Sequence, residues 1–394
     1  MKSFTSEKKL NKICLGIEDR KEQFFLIVFV LWFSLDFFYS LELGKYEIGK
    51  NTYYLRILSP IKYAALLLAL TQNNGSLKDL LMKLSVALFL YITARGSLFF
   101  DLFYSWILLW ASENVEFKKI VKISAVMLSV YLPLTFIACK VGILDEVHGI
   151  FRNGIERKGF GFQHPNHMAF RVFSLLICLC FLLKDKRNPA VYLFSAISLY
   201  VLWNYQNSRA SCGCILIMTL LFSLRFFFYR MNTRRQRFVL FSFVVGAILV
   251  NILMVFLTLT YKGSGVYQAL NRALSDRLLF GNEAFQENGL SVFGQRIFLT
   301  MSERKAAGLA GQIIIDCAYM NILLRGGILT YVGFSMAYAY GMIKYAKAND
   351  FLKVSILFVM ACFGAIELDL YQVSANIFLF LLPMFPDRSD ICLL

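Results

Sequence analysis

Residues 159–166 read GFGFQHPN: two backbone-turning glycines, then a histidine directly before a proline. Proline suits the first turn of a helix, where its missing N–H costs nothing. That puts His164 at a cap and Asn166 at the start of the apolar run 166–183. The positive end of a helix dipole disfavours imidazolium, so a neutral ring there can act as a base. His167 and Arg171 follow on the same helix face, and Arg157 precedes the motif. All three histidines (His148, His164 and His167) lie in or beside this loop. Arginines on both sides of a base suit an anionic ligand. A capping histidine flanked by arginines that reach for lipid headgroups would use the same residues.

The pattern recurs. In YQNSRAS, 205–211, Asn207 and Ser208 are ready helix caps and Arg209 follows. Helix amino ends hold phosphates, and arginine grips them with a fork of donors. In GQIIIDCAYMNILLRGG, Asp316 stands near another helix start, as a cap or a functional carboxylate. Arg325 lies nine residues on, roughly 13 Å deeper at helical rise, where an ionisable group is a functional candidate by default. Glu367 and Asp369 have the spacing of an Asp-x-Asp metal pair, and equally that of a helix-turn cap.

What must position these residues is a membrane-spanning bundle. Of the 394 residues 58% are hydrophobic and only 17% charged, with mean hydropathy +0.60; soluble chains carry about a quarter charged residues. Apolar runs recur at the length of about 20 residues that a bilayer requires. The alternating segments of a β-barrel are absent. A helical fold of about twelve spans is expected: 24–43, 55–71, 79–94, 97–111, 119–140, 166–183, 189–206, 209–228, 238–260, 317–342, 351–366 and 370–385. The first run, from Phe24, resembles a retained span rather than a cleaved signal.

The net charge of +16 fits basic cytoplasmic loops, and no soluble basic surface suits nucleic acid. The nine cysteines, such as Cys178, Cys180, Cys212 and Cys214, sit mostly in apolar runs and read as small hydrophobes. Lys8, Lys9, Lys12, Arg20 and Lys21 place the amino terminus in the cytoplasm; twelve spans return the carboxyl terminus there. Basic stretches 184–189, 230–237 and 344–350 then face inward. Loops 141–165 and 261–316 face outward, within a single membrane domain 1–394. The longer loop carries Val266, Leu270, Leu274 and Leu278 at helical spacing, predicting an amphipathic helix with Arg272 and Arg277 on its polar side.

The segment from Arg157 to Asn166, R-x-G-x-G-x-x-H-P-N, resembles the motif of Wzy-type polysaccharide polymerases, in the superfamily of O-antigen ligases. The family form is commonly G-F-G-H-P-N; here Phe162 and Gln163 lengthen it. NSRAS (207–211) resembles the family's Ser-Arg-Thr/Ala segment, and 274–297 its large outer loop with an arginine and a Val-Phe-Gly segment. Residues 316–329 are similar to its Asp-Asn-x-Tyr stretch, with Cys317 in place of asparagine, and Glu367 falls where a late glutamate is common. The likeness runs from Arg157 onward; the first 140 residues match only in hydropathy.

The resemblance implies a metal-independent GT-C-type glycosyltransferase of the bacterial plasma membrane, without a cofactor. It would join oligosaccharide repeat units carried on undecaprenyl pyrophosphate, at the outer face, into capsular, exopolysaccharide or O-antigen chains. A flippase and a chain-length regulator are the implied partners, besides the lipid bilayer. His164 is the expected base, with Asp316 or Glu367 as alternatives. Asn166, His167, Arg157, Arg171, Arg209 and Arg277, and more weakly Arg296 and Arg325, are the expected pyrophosphate or sugar contacts. A ligase of finished glycan is the nearest rival. A lipid-linked oligosaccharide transporter would instead need ionisable groups within the spans, for which Asp36, Lys62 and Arg325 are the candidates.

Overall fold

The computed structural model describes residues 2–43, 50–72, 76–149, 151–152, 154–185 and 188–382. Expected features at 186–187, in a basic run, and at 383–385, in the last span, lie outside them. The described chain is overwhelmingly helical: α1 (Lys2–Tyr39), α2 (Lys50–Thr71), α3 (Leu77–Ser97), α4 (Asp101–Ala111), α5 (Phe117–Lys140), α6 (Pro165–Leu182), α7 (Pro189–Val201) and α8 (Arg209–Phe228). Then follow α9 (Thr233–Leu259), α10 (Val266–Ala273), α11 (Arg277–Asn288), α12 (Met301–Ala306), α13 (Ala318–Asn321), α14 (Gly327–Lys347) and α15 (Phe351–Gly364). A two-residue antiparallel ladder, β1 (Phe151–Arg152) with β2 (Ile155–Glu156), lies in the loop before α6.

Among the described residues, six segments are long and apolar enough to cross a membrane: Arg20–Tyr39, Phe117–Lys140, Pro165–Leu182, Arg209–Phe228, Thr233–Leu259 and Ala318–Lys347. Helix starts carry the side-chain acceptors that helix ends require. Asn188, Asn232 and Asp350 accept from the backbone N–H groups of Ala190, Arg235 and Lys353. The bundle has two chemically distinct ends. One gathers Lys184, Arg225, Arg230 and Arg235: Arg225 donates to the Lys184 carbonyl, and Phe228 packs 4.5 Å from Phe351. The other holds the histidine motif and the starts of α6, α8 and α13.

Two expectations change. The amphipathic helix expected over 266–278 ends at Ala273, because Ser275 and Asp276 both adopt left-handed backbone. Asn271 bridges the break, donating to Asp276 and accepting from the N–H of Leu279. Arg277 therefore starts a second helix and is buried, not on a polar outer side. The span expected at 370–385 is not an α-helix over its described part. It forms two 3-10 turns, Leu368–Tyr371 and Ile377–Leu381, and is almost wholly buried.

This last stretch still runs the depth of the bundle. It leaves Glu367 at the motif end, and its Phe378 and Phe380 pack on Phe117 and Phe25 toward the basic end. Irregular backbone survives at membrane depth only when buried in protein that satisfies its polar groups. Ser105 binds the Tyr371 carbonyl and the Val373 N–H, and Arg171 donates to the Ser374 carbonyl at 2.9 Å. Asn376 donates to Leu370 and Tyr345 to Leu381.

Candidate functional site

The histidine motif is held from three sides. Glu146 accepts the N–H groups of Gly159 and Phe160, at 2.6 and 2.9 Å. Gly161 has φ +87°, a conformation that favours glycine, and its carbonyl accepts from Glu42. Phe162 and Gln163, which lengthen the motif, fasten it to the end of α1. Phe162 packs on Phe37, and the Gln163 amide donates to the carbonyls of Tyr39 and Leu41. The chain then enters α6 with His164 as N-cap, its Nδ1 accepting from the Asn166 N–H at 3.1 Å, and Pro165 in the first turn.

From this cap a chain of polar contacts crosses the motif end. Arg157 donates to the Gln206 carbonyl at 2.6 Å and to the Asn166 side-chain oxygen. Asn166 in turn donates to Glu367 Oε1 at 2.9 Å. Arg277 donates to the same oxygen at 3.0 Å and to the Ile366 carbonyl, with Asp316 3.8 Å away. Glu367 thus uses one carboxylate oxygen for both donors and keeps its side chain 13% exposed. Burial pushes its pKa up to about 7, against the pull of Arg277, with Asp369 and Asp316 adding to the rise and Asn166 opposing it. Burial likewise raises Asp316, and Arg277 lowers it.

The expected residues therefore separate. The structure brings together His164, Asn166, Arg157, Arg277, Asp316 and Glu367. Arg157, Arg171 and Arg277, expected as ligand contacts, are committed to protein groups. Arg171 pairs with Asp36 at 2.6 Å and holds the last stretch in place, two turns below the cap. His167 is exposed, its ring 6.0 Å from that of His164. Arg209 is exposed at the first turn of α8 and makes no hydrogen bond or ion pair among the described residues. Arg296 is exposed, lying over Phe298. Arg325 lies over Phe99 and donates only a long 3.4 Å bond, to Leu98; its buried Nε has no partner among the described residues.

Sequence reasoning named Asp36, Lys62 and Arg325 within the spans but missed Asp101, on which they converge. Asp101 accepts from the Gln372 side chain, with Arg325, Asp36 and Lys62 around it. Lys62 sits over the Tyr104 ring at 3.6 Å. The signal was present as isolated charges in apolar runs, but their convergence was not readable along the chain. Glu367 and Asp369 diverge: Glu367 meets Asn166 and Arg277, whereas Asp369 lies in the field of Arg171 and Asp36. No cluster of three His, Cys, Asp or Glu suited to a metal occurs among the described residues.

No protein-family model, curated protein or solved structure matches this chain. The fold and site define a helical membrane protein with a buried acid–amide–arginine cluster at one end of its bundle.

Proposed function

We propose that the protein is a Wzy-type polymerase, joining undecaprenyl-pyrophosphate-linked oligosaccharide units at the outer face of a bacterial plasma membrane. The observation that carries this reading is Glu367, a carboxylate with pKa raised to about 7, bracketed by Asn166 and Arg277 beside the resembling motif. Such a group can take a proton at neutral pH. The acceptor hydroxyl attacks the anomeric carbon of the donor and loses its proton to Glu367 Oε2, opposite the oxygen that Asn166 and Arg277 occupy. The bond from the anomeric carbon to the diphosphate breaks, and polyprenyl diphosphate leaves with the electron pair.

This assigns the base to Glu367 rather than His164. The His164 Nδ1 accepts a backbone N–H, so a neutral ring carries its proton on Nε2 and donates. It suits orienting a sugar oxygen or a phosphoryl oxygen. Asp316, exposed enough to meet water, is a relay for the proton held by Glu367. With three arginines committed to the protein, the leaving diphosphate falls to Arg209 at the start of α8, supported by Arg296 and Arg325; donors aimed at developing charge stabilise the transition state.

The basic end then faces the cytoplasm, with both termini inside. Twelve crossings are retained: the short α3–α4 hairpin is a pair and leaves later orientations unchanged, and the final crossing is irregular. The charged group around Asp101 is what would favour a transporter. Purified protein in vesicles with lipid-linked repeat units separates the readings. A ladder of polymer that E367Q abolishes supports the polymerase. Movement of the units across the bilayer with no new glycosidic bond would refute it, and transfer only of finished glycan to a different acceptor would make the protein a ligase.

A further inference from the structure

The long loop before α13 contains an uncharged stretch, Asn288 to Gln295 (NGLSVFGQ), bounded by Glu287 and Arg296. It pairs with a break in a membrane helix. Between α13 and α14 the chain forms a wide π turn, Ile322–Gly326, and Gly327 takes φ +86°. The N–H groups of Ile328 and Leu329, at the start of α14, are left without helical partners. The loop supplies them: Ile328 donates to the Ser291 carbonyl at 2.9 Å and Leu329 to Val292 at 3.2 Å, while Gln295 donates to the Arg325 carbonyl. The approach is so close that a Cβ on Gly294 would stand 2.5 Å from that carbonyl, and one on Gly327 would strike Gly294. The loop is thus fixed in position by main-chain bonds.

That position lies within the membrane. Met320 packs by Gly281, which also meets Thr258 in the last turn of α9, so Met320 marks the level at which α9 ends. Past the π turn and the Gly327 break, α14 runs down to Lys344 at the basic end, sixteen residues or about 24 Å from Ile328 at helical rise, so Ile328 stands inside a hydrocarbon layer about 30 Å thick. At this depth the loop presents Leu290, Val292 and Phe293 outward, Phe293 at 61% exposure. They continue the exposed apolar face of α14 formed by Ile328, Leu329 and Val332. Arg304 grips Glu287 through both carboxylate oxygens and so ties down the stem of the loop.

We infer that Leu290–Gly294 is a wedge at the outer margin of the bilayer beside the helix break, its Leu290, Val292 and Phe293 side chains among acyl chains while its backbone stays docked on the start of α14, and not a water-exposed loop. Its partner is lipid acyl chain. The inference holds whatever reaction the protein performs. Reconstitute the full chain and its Phe293→Trp variant in vesicles of phosphatidylcholine brominated along the acyl chain. The fluorescence added by the new tryptophan, over the four native ones, should be quenched severalfold more by brominated lipid than by aqueous iodide. Adding Gly294→Ala, which blocks the docking, should shift quenching toward iodide, with helix content by circular dichroism checking that the bundle persists. Quenching of Trp at 293 by iodide alone in the singly substituted, folded protein would overturn the wedge and mark the tip as a surface for a water-borne partner.

Discussion

Helices α6 and α8 both begin at the motif end, and they begin differently. The start of α6 is saturated: His164 caps it, Asn166 is held by Arg157, and the loop before it is pinned to α1. The start of α8 is open: Ser208 makes no side-chain cap bond and Arg209 projects into the surroundings. A saturated helix start sets geometry, and an open one keeps its N–H groups and charge for something else. Under the proposed reaction the α6 side would hold the carboxylate and the α8 side would meet the anion.

Substitutions can break that division. The largest expected effect is Glu367→Gln, a near-isosteric change that should cut polymer formation by ~10²–10⁴-fold. Wild-type activity should climb as pH rises through about 7, because the base works deprotonated, and the variant should lack that limb. The stability sign is opposite. The folded pKa lies above the ordinary 4.5, so the Glu367 contribution is complete below 4.5 and is lost as pH rises through about 7. Unfolding of wild type and variant across that window measures it.

Arg209→Ala should weaken binding of the lipid diphosphate by roughly tenfold or more, the worth of a charge-assisted hydrogen bond, and leave the melting temperature unchanged. Arg157→Ala should do the reverse first. It strips a partner from the Gln206 carbonyl and from Asn166, costing about 1–3 kcal/mol of stability, readable as a lower melting temperature in detergent. If Arg209→Ala melts early while Arg157→Ala does not, the division between the helix starts is wrong. The smallest effect is expected for His164→Ala, about 0.5–2 kcal/mol for a lost cap. His164→Asn should restore the cap, so activity still missing in that variant would measure the ring's separate contribution to substrate.

The sequence disclosed a helical membrane protein and the cap at His164, because a proline after a polar residue is a local signal that tertiary contacts rarely override. It also brought forward Glu367 and Asp316. It did not foresee the protein partners of Arg157, Arg171 and Arg277, since a guanidinium aimed at a backbone carbonyl looks the same along the chain as one aimed at a ligand. The break at Ser275–Asp276 hid inside a good helical period. The last stretch passed for a helix because hydropathy reports burial and says nothing of where carbonyls find partners.

That last stretch constrains how the molecule is built. A helix carries its own hydrogen bonds and can enter lipid alone, but residues 368–382 depend on Ser105, Arg171 and Tyr345, contributed by three other helices. Synthesised after the helices that carry these three partners, they can settle only into a vacancy those helices have already shaped, so this stretch packs after its surroundings are in place.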